Sequence, residues 1–193
     1  MSTPKDERQI VGARRVGPDE ALAAAVRAAA VPGTVWIGVD GFGGSGKTTF
    51  AARIAAAVPR AVVVHVDDFA RPWVAEWEFD RFRTELVAPL RANTTARYQR
   101  FDWPSETLAE WHEIEPGAVM VIEGVSSTRP ETGVPWALTV WVDTPREVRL
   151  ERALERDGPE LLPRWLDDWM PSEDAWAARA QPLDWIDLVI PGG

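Results

Sequence analysis

The sequence predicts an α/β protein: a three-layer fold in which a five-stranded parallel sheet is flanked by helices. Two observations carry this. Five short, β-branched apolar runs recur along the chain, at 34–40, 61–66, 118–124, 138–143 and 187–190, each apolar on both faces as a buried parallel strand requires. Between them lie longer segments with helical spacing of apolar residues, the alternation that builds a parallel sheet through crossover helices.

Taken in order, residues 1–17 show little periodicity and read as an N-terminal arm. Leu22, Val26 and Ala29 give helical spacing from Pro18 to Ala30, ended by Pro32-Gly33. Val35, Trp36, Ile37 and Val39 form the first strand, and Phe50, Ile54, Ala57 and Val58 form the apolar face of the helix that follows the glycine-rich loop. AVVVHV at 61–66 is too short for a helix and ends in Asp67-Asp68-Phe69. Residues 70–79 read as a tryptophan-bearing loop, 80–90 as a helix with Phe82, Leu86 and Leu90 on one face, and 92–117 as polar and irregular. After strands at 118–124 and 138–143, a helix from about 145 to 156, a Gly-Pro break at 158–159 and a tryptophan-rich helical stretch near 163–180 form a helical lid before the last strand. No linker or internal repeat interrupts the 193 residues, so a single domain is expected.

The loop between first strand and helix is the most specific signal. Gly41, Gly46, Lys47 and Thr48 fit G-x-x-x-x-G-K-[ST], with Gly43, Gly44 and Ser45 between them and Thr49 after. Glycines let the backbone wrap an anion with its N–H groups pointing inward, and a helix starting near Lys47 adds its N-terminal dipole. In that arrangement Lys47 reaches the β- and γ-phosphates of ATP, and the Thr48 hydroxyl holds Mg²⁺. The strand before and the helix after supply the context the pattern needs. The pattern in this context predicts a phosphate-binding loop.

Composition narrows the rest. There is no cysteine, so disulfides, thiolate metal sites and a cysteine nucleophile are excluded. The N-terminus lacks an apolar leader, no run reaches the roughly 18 apolar residues of a membrane span, and the net charge of −9 opposes nucleic acid as a partner. A soluble cytoplasmic protein with neither a membrane nor a nucleic-acid partner is expected; a homo-oligomer is left open.

In an open parallel sheet, ligands bind beyond the carboxyl ends of the strands, and that rule selects the other candidates. Asp67 and Asp68 end the second strand. A carboxylate there can accept the proton of an attacking hydroxyl or bind Mg²⁺; Asp67 is the preferred base, and spacing alone does not separate the two roles. Glu123 ends the strand VMVI before a glycine and is expected to hold Mg²⁺ directly or through water. On the helix at 145–156, at about 100° per residue, Arg149, Arg152 and Arg156 share a sector of about 60°, with Glu147, Glu151 and Glu155 on a separate ridge. Like charges stacked at this spacing cost stability unless something neutralises them. A triphosphate would do so beneath a mobile lid; ion pairs elsewhere in the fold are the alternative. Trp36 and Trp141 fall inside strands and read as core, whereas Trp73, Trp77 and Trp103 either stack on a substrate ring or pad the loops. His65 and His112 read as structural.

Taken together, GFGGSGKTTF, VDDF, FDWPS, VIEGV and VDTPREVRLERALERDG resemble the uridine kinase-like branch of the P-loop kinases, which includes uridine/cytidine kinases and phosphoribulokinase-related proteins. The resemblance spans about residues 34–190. It implies ATP and Mg²⁺ at Gly41 to Thr48, Asp67 as catalytic base, Glu123 near the magnesium, and Arg149, Arg152 and Arg156 around the lid. It also implies that Phe101 and Asp102 lie beside the acceptor, with Asp68 and Trp103 as further acceptor-binding candidates. Nucleoside kinases of this branch carry a histidine after the Phe-Asp pair, where this chain has Trp103-Pro104-Ser105. An acceptor other than uridine or cytidine is compatible with that departure.

The function expected from the sequence is transfer of the γ-phosphoryl of ATP to a hydroxyl of a small molecule, a nucleoside or related metabolite. Lys47, Asp67 and Arg152 are the expected catalytic groups. A nucleotide-dependent regulatory protein and a kinase of a specialised metabolite are the alternatives; no guanine-specifying N-K-x-D pattern is present.

Overall fold

A computed structural model of the chain describes residues 12–71 and 77–193. Most of the expected arm, and Trp73, lie outside the described residues.

Six strands form one parallel sheet: β1 (Arg14–Arg15), β2 (Val35–Asp40), β3 (Ala61–His65), β6 (Val119–Glu123), β7 (Leu138–Asp143) and β8 (Leu188–Pro191), in the order β1-β8-β7-β2-β6-β3. The sequence predicts five strands. The sixth, Arg14–Arg15, is two exposed residues paired to Leu188 and Val189 at the sheet edge, too short and too polar to leave a periodic signal. Every residue of β2 is buried, as a strand covered on both faces must be.

One face of the sheet is covered by α1 (Pro18–Ala28) and α2 (Lys47–Ala57), with Phe50, Ala51 and Ile54 packed on Val35, Ile37, Val39, Val121 and Val140. The other face is divided. At one end lie α3 (79–91) and a β-hairpin, whose Phe82, Leu86, Tyr98 and Phe101 pack on Trp36, Met120 and Ile122. At the other end, α5 (162–180) sets Trp176 on Trp141 and Val189. Trp36 and Trp141 are core residues, as their strand positions require.

The hairpin corrects the reading of 92–117 as irregular. β4 (Ala96–Asp102) and β5 (Thr107–Ile114) pair antiparallel, with a register shift between Gln99 and Phe101. Only Ala96, Tyr98 and Phe101 of β4 are buried, the register shift breaks their alternation, and β5 is mostly exposed, so a run of Arg, Gln and Glu conceals the strand pattern. Asp102 closes the turn by accepting hydrogen bonds from the Ser105 N–H and hydroxyl at 3.1 and 2.7 Å, a side-chain turn typical of Asp.

The expected lid is α4 (Arg146–Asp157), ended by Gly158, followed by α5. Both α3 and α5 contain a π-helical turn, at Arg83–Val87 and Trp165–Trp169, a feature that often marks functional positions within helices.

Candidate active site at the strand ends

The loop between β2 and α2 takes the shape its glycines permit. Gly46 caps α2 in the left-handed region at φ 98°, and Gly44 has φ 73°, a conformation that disfavours any side chain. Lys47 is largely buried, and its Nζ donates to the Phe42 carbonyl at 2.8 Å across the loop. Thr48 and Thr49 face solvent on the first turn of α2. A Cβ built on Gly46 would meet nothing nearer than Arg152 Nη1 at 3.9 Å, so the mouth of the loop is open.

Three buried polar atoms around this loop have no hydrogen-bond partner: Ser45 Oγ, Arg149 Nε and Arg152 Nη1. Orphaned buried donors are costly unless a ligand or water satisfies them. Two are guanidinium nitrogens, so an anion is the group that fits.

Thr48 and Glu123 come together although 75 residues separate them: the Thr48 hydroxyl donates to Glu123 Oε1 at 3.0 Å. The same oxygen is paired with His65 Nδ1 at 2.5 Å. Burial works to raise the Glu123 carboxyl, but His65, Lys47 and Thr48 outweigh it and hold it below its ordinary value. His65 is raised in turn, first by its hydrogen bond to Glu123. A hydroxyl beside an ionised carboxylate is the oxygen donor set that a hard cation such as Mg²⁺ accepts when phosphates and water complete its shell. Among the described residues there is no cluster of three acidic or histidine side chains that could hold an ion without such help.

Asp67 and Asp68 lie in the 3₁₀ turn Val66–Phe69 immediately after β3. Asp67 reaches solvent, yet its carboxyl is raised, first by desolvation against the surrounding protein and then by the negative Glu123, with Lys47 and His65 opposing. Asp68 is buried, and its Oδ2 accepts the Tyr98 hydroxyl at 3.2 Å. The pairing of Tyr98 with His112 across the hairpin puts their rings in a stack at 5.1 Å, and Phe69 also stacks on Tyr98 at 4.8 Å. Both histidines, read from the sequence as structural, adjoin these carboxylates: His65 contacts Glu123, and His112 stacks on Tyr98, which bonds Asp68.

The other expected site residues are divided. Phe101 is buried, Trp103 is exposed and edge-on to Phe101 at 5.3 Å, and Asp102 is committed to its turn and to Arg100. Trp77 is core, donating to Ser126 Oγ. Of the arginines on α4, Arg149 is withdrawn into an ion pair with Glu173, and Arg156 pairs with Asp157 at 2.6 Å while remaining in the field of Asp67 and Glu123. Arg152 Nη1 is unpaired and lies 3.9 Å from a Cβ built on Gly46, at the mouth of the loop.

Asp40 escapes the sequence reading. It ends β2 fully buried and accepts four hydrogen bonds, from the N–H groups of Gly41, Ser126 and Thr128 and from the Thr128 hydroxyl. It thereby fastens the start of the phosphate loop to the segment that follows Glu123. The only local signal is its place at the strand end; its partners beyond Gly41 lie 86 to 88 residues away.

A parallel sheet with this glycine loop at its strand ends defines the class, a three-layer α/β fold of the P-loop kinase type. Within it, the relatives are specific. The chain is 27% identical over 180 residues to the uridine kinase of Borrelia turicatae, covering 81% of this chain and 86% of that one. It is 28% identical over 182 residues to uridine kinase-like protein 5 of Arabidopsis thaliana, covering 81% of this chain and 39% of that one. A structure described as a possible uridine kinase from Bacillus stearothermophilus superposes with a TM-score of 0.68 at 18% identity, covering 90% of this chain and 96% of the other. No protein-family model matches. The similarity is to the uridine kinase-like branch of the P-loop kinases, the branch whose motifs the sequence carries.

Proposed function

We propose that the protein is an ATP- and Mg²⁺-dependent kinase that transfers the γ-phosphoryl group to a hydroxyl of a small molecule. The observation that carries this reading is the convergence of Thr48, Glu123 and Asp67 at the open mouth of a left-handed glycine loop. The uridine kinases among its relatives support it.

In this reading the loop amides and Lys47 bind the phosphates, and Thr48 with Glu123 holds the metal, which neutralises phosphate charge when bound. Asp67 accepts the proton of the attacking hydroxyl; desolvation and the negative Glu123 raise its carboxyl, the direction that favours a proton acceptor. Arg152 supplies positive charge where negative charge develops. Catalysis is then chiefly positioning and electrostatics. Asp68, steadied by Tyr98, binds the acceptor, with Phe101, Trp103 and His112 nearby on the hairpin. His112, stacked on Tyr98 from the opposite strand, supports a nucleoside or similar ring-bearing acceptor, although Trp103-Pro104-Ser105 directly after Asp102 holds no histidine.

The test is ATP consumption with Mg²⁺ against a panel of nucleosides, sugars, vitamins and hydroxylated metabolites, with Asp67→Asn in parallel. Stimulation by one compound, reduced at least a hundredfold in Asp67→Asn while ATP still binds, is expected. Tight ATP binding with no acceptor-stimulated turnover would overturn the kinase reading in favour of a regulatory nucleotide-binding protein.

A further inference from the structure

Glu173 is on α5, in the helical region beyond the phosphate loop, yet it is bonded to that loop. Both of its carboxylate oxygens lie within hydrogen-bond distance of the Gly43 N–H, at 3.1 and 3.0 Å. The same carboxylate pairs with Arg149 Nη1 at 3.4 Å, with the two side chains only 11% and 4% exposed. The Arg149 guanidinium in turn lies 4.5 Å from the centre of the Phe42 ring. Gly44 packs so closely beneath α4 that a Cβ there would stand 2.3 Å from the Arg149 carbonyl, and one on Gly43 would stand 2.8 Å from the Trp165 ring. Residues 42–44 are thus clasped between α4 and α5, and among the described residues Glu173 is the acidic side chain that bonds both the loop and the arginine.

A buried carboxylate and guanidinium are desolvated at considerable cost, which their mutual attraction offsets only when the geometry is good and further hydrogen bonds are made. Here the further bond is to the backbone of the phosphate loop. A glycine-rich segment loses more conformational entropy on ordering than any other. A partner that fixes its peptide planes before the anion arrives therefore raises affinity through preorganisation.

We propose that Glu173 is a positioning residue that couples α5, the helical cap over residues 42–44, to the phosphate loop, holding the loop in its anion-receptive shape when this cap is closed. The proposal rests on the reading of the loop as a nucleotide-phosphate site. Opening of α5 releases Gly43 and frees Arg149, so cap position and nucleotide affinity are linked, and the linkage runs both ways.

The experiment is titration of MgADP into the wild type, Glu173→Gln and Glu173→Ala, with thermal unfolding of each and, where turnover is found, the KM for ATP and for the acceptor. Binding to Glu173→Ala is expected to weaken by about tenfold or more, and to Glu173→Gln by less, because its amide oxygen still accepts from Gly43. The KM for ATP should rise while that of the acceptor stays unchanged, a split that loss of stability alone does not produce. Unchanged or tighter MgADP binding in a folded variant would overturn the proposal; tighter binding would mean that the carboxylate competes with phosphate. Should Glu173→Ala fail to fold, the near-isosteric Glu173→Gln decides on the same criterion. A wild type that binds no nucleotide would instead overturn the phosphate-site reading itself, so the two failures are distinguishable.

Discussion

Asp40 shows how much a single side chain carries in this fold. Its carboxyl is raised, first by complete burial, while the Thr128 N–H and hydroxyl, the Gly41 N–H and the charge of Lys47 oppose that shift. Asp40→Asn keeps the shape but turns one acceptor into a donor, which must then face another donor without solvent. A loss of about 2–3 kcal/mol is expected in urea unfolding; a change below about 0.5 kcal/mol would show that the network is not what secures the loop. The sequence makes the end of β2 readable but not this role, because the donors come from a segment beyond β6. The same distinction explains the arginines of α4. Their shared sector is a property of the helix and is legible, whereas the withdrawal of Arg149 depends on Glu173, 24 residues further on. His65 and Glu123 likewise meet only because β3 and β6 pair in register.

Among the elements, the phosphate loop is read most completely, since its spacing encodes its geometry. Gly44 has φ 73° and no room for a Cβ. Gly44→Ala should therefore cost about 1–3 kcal/mol in stability and weaken MgADP binding at least tenfold. Unchanged unfolding and binding would contradict the close packing of α4 on the loop. The hairpin of β4 and β5 is the element least visible in sequence. It lies at one end of a sheet face, so its outward residues are free to be polar and the alternation is diluted by Arg97, Gln99, Arg100 and Glu110. What the hairpin contributes also depends on register: His112 is found opposite Tyr98 only once the strands are paired. The two π turns in α3 and α5 leave no mark that a period of 3.6 residues would reveal.

At the scale of the whole molecule, the sheet, the covering helices and the loop at the strand ends follow from short buried strands alternating with helices. Where the sequence stops is in the joining of distant segments: the two-residue edge strand β1, the fastening of Asp40 to 126–128, and the clasp of α5 on the loop. Among the described residues, no helix is long and apolar enough to cross a membrane. Calorimetric titration of ATP into the wild type and Lys47→Ala, with Mg²⁺ and with a chelator, tests whether the strand ends form a site for a metal-bound triphosphate. Saturable binding by the wild type that weakens sharply without Mg²⁺ is expected, with loss of binding in a Lys47→Ala variant that unfolds as the wild type does. Equal binding by the two proteins, or none by the wild type, would contradict it.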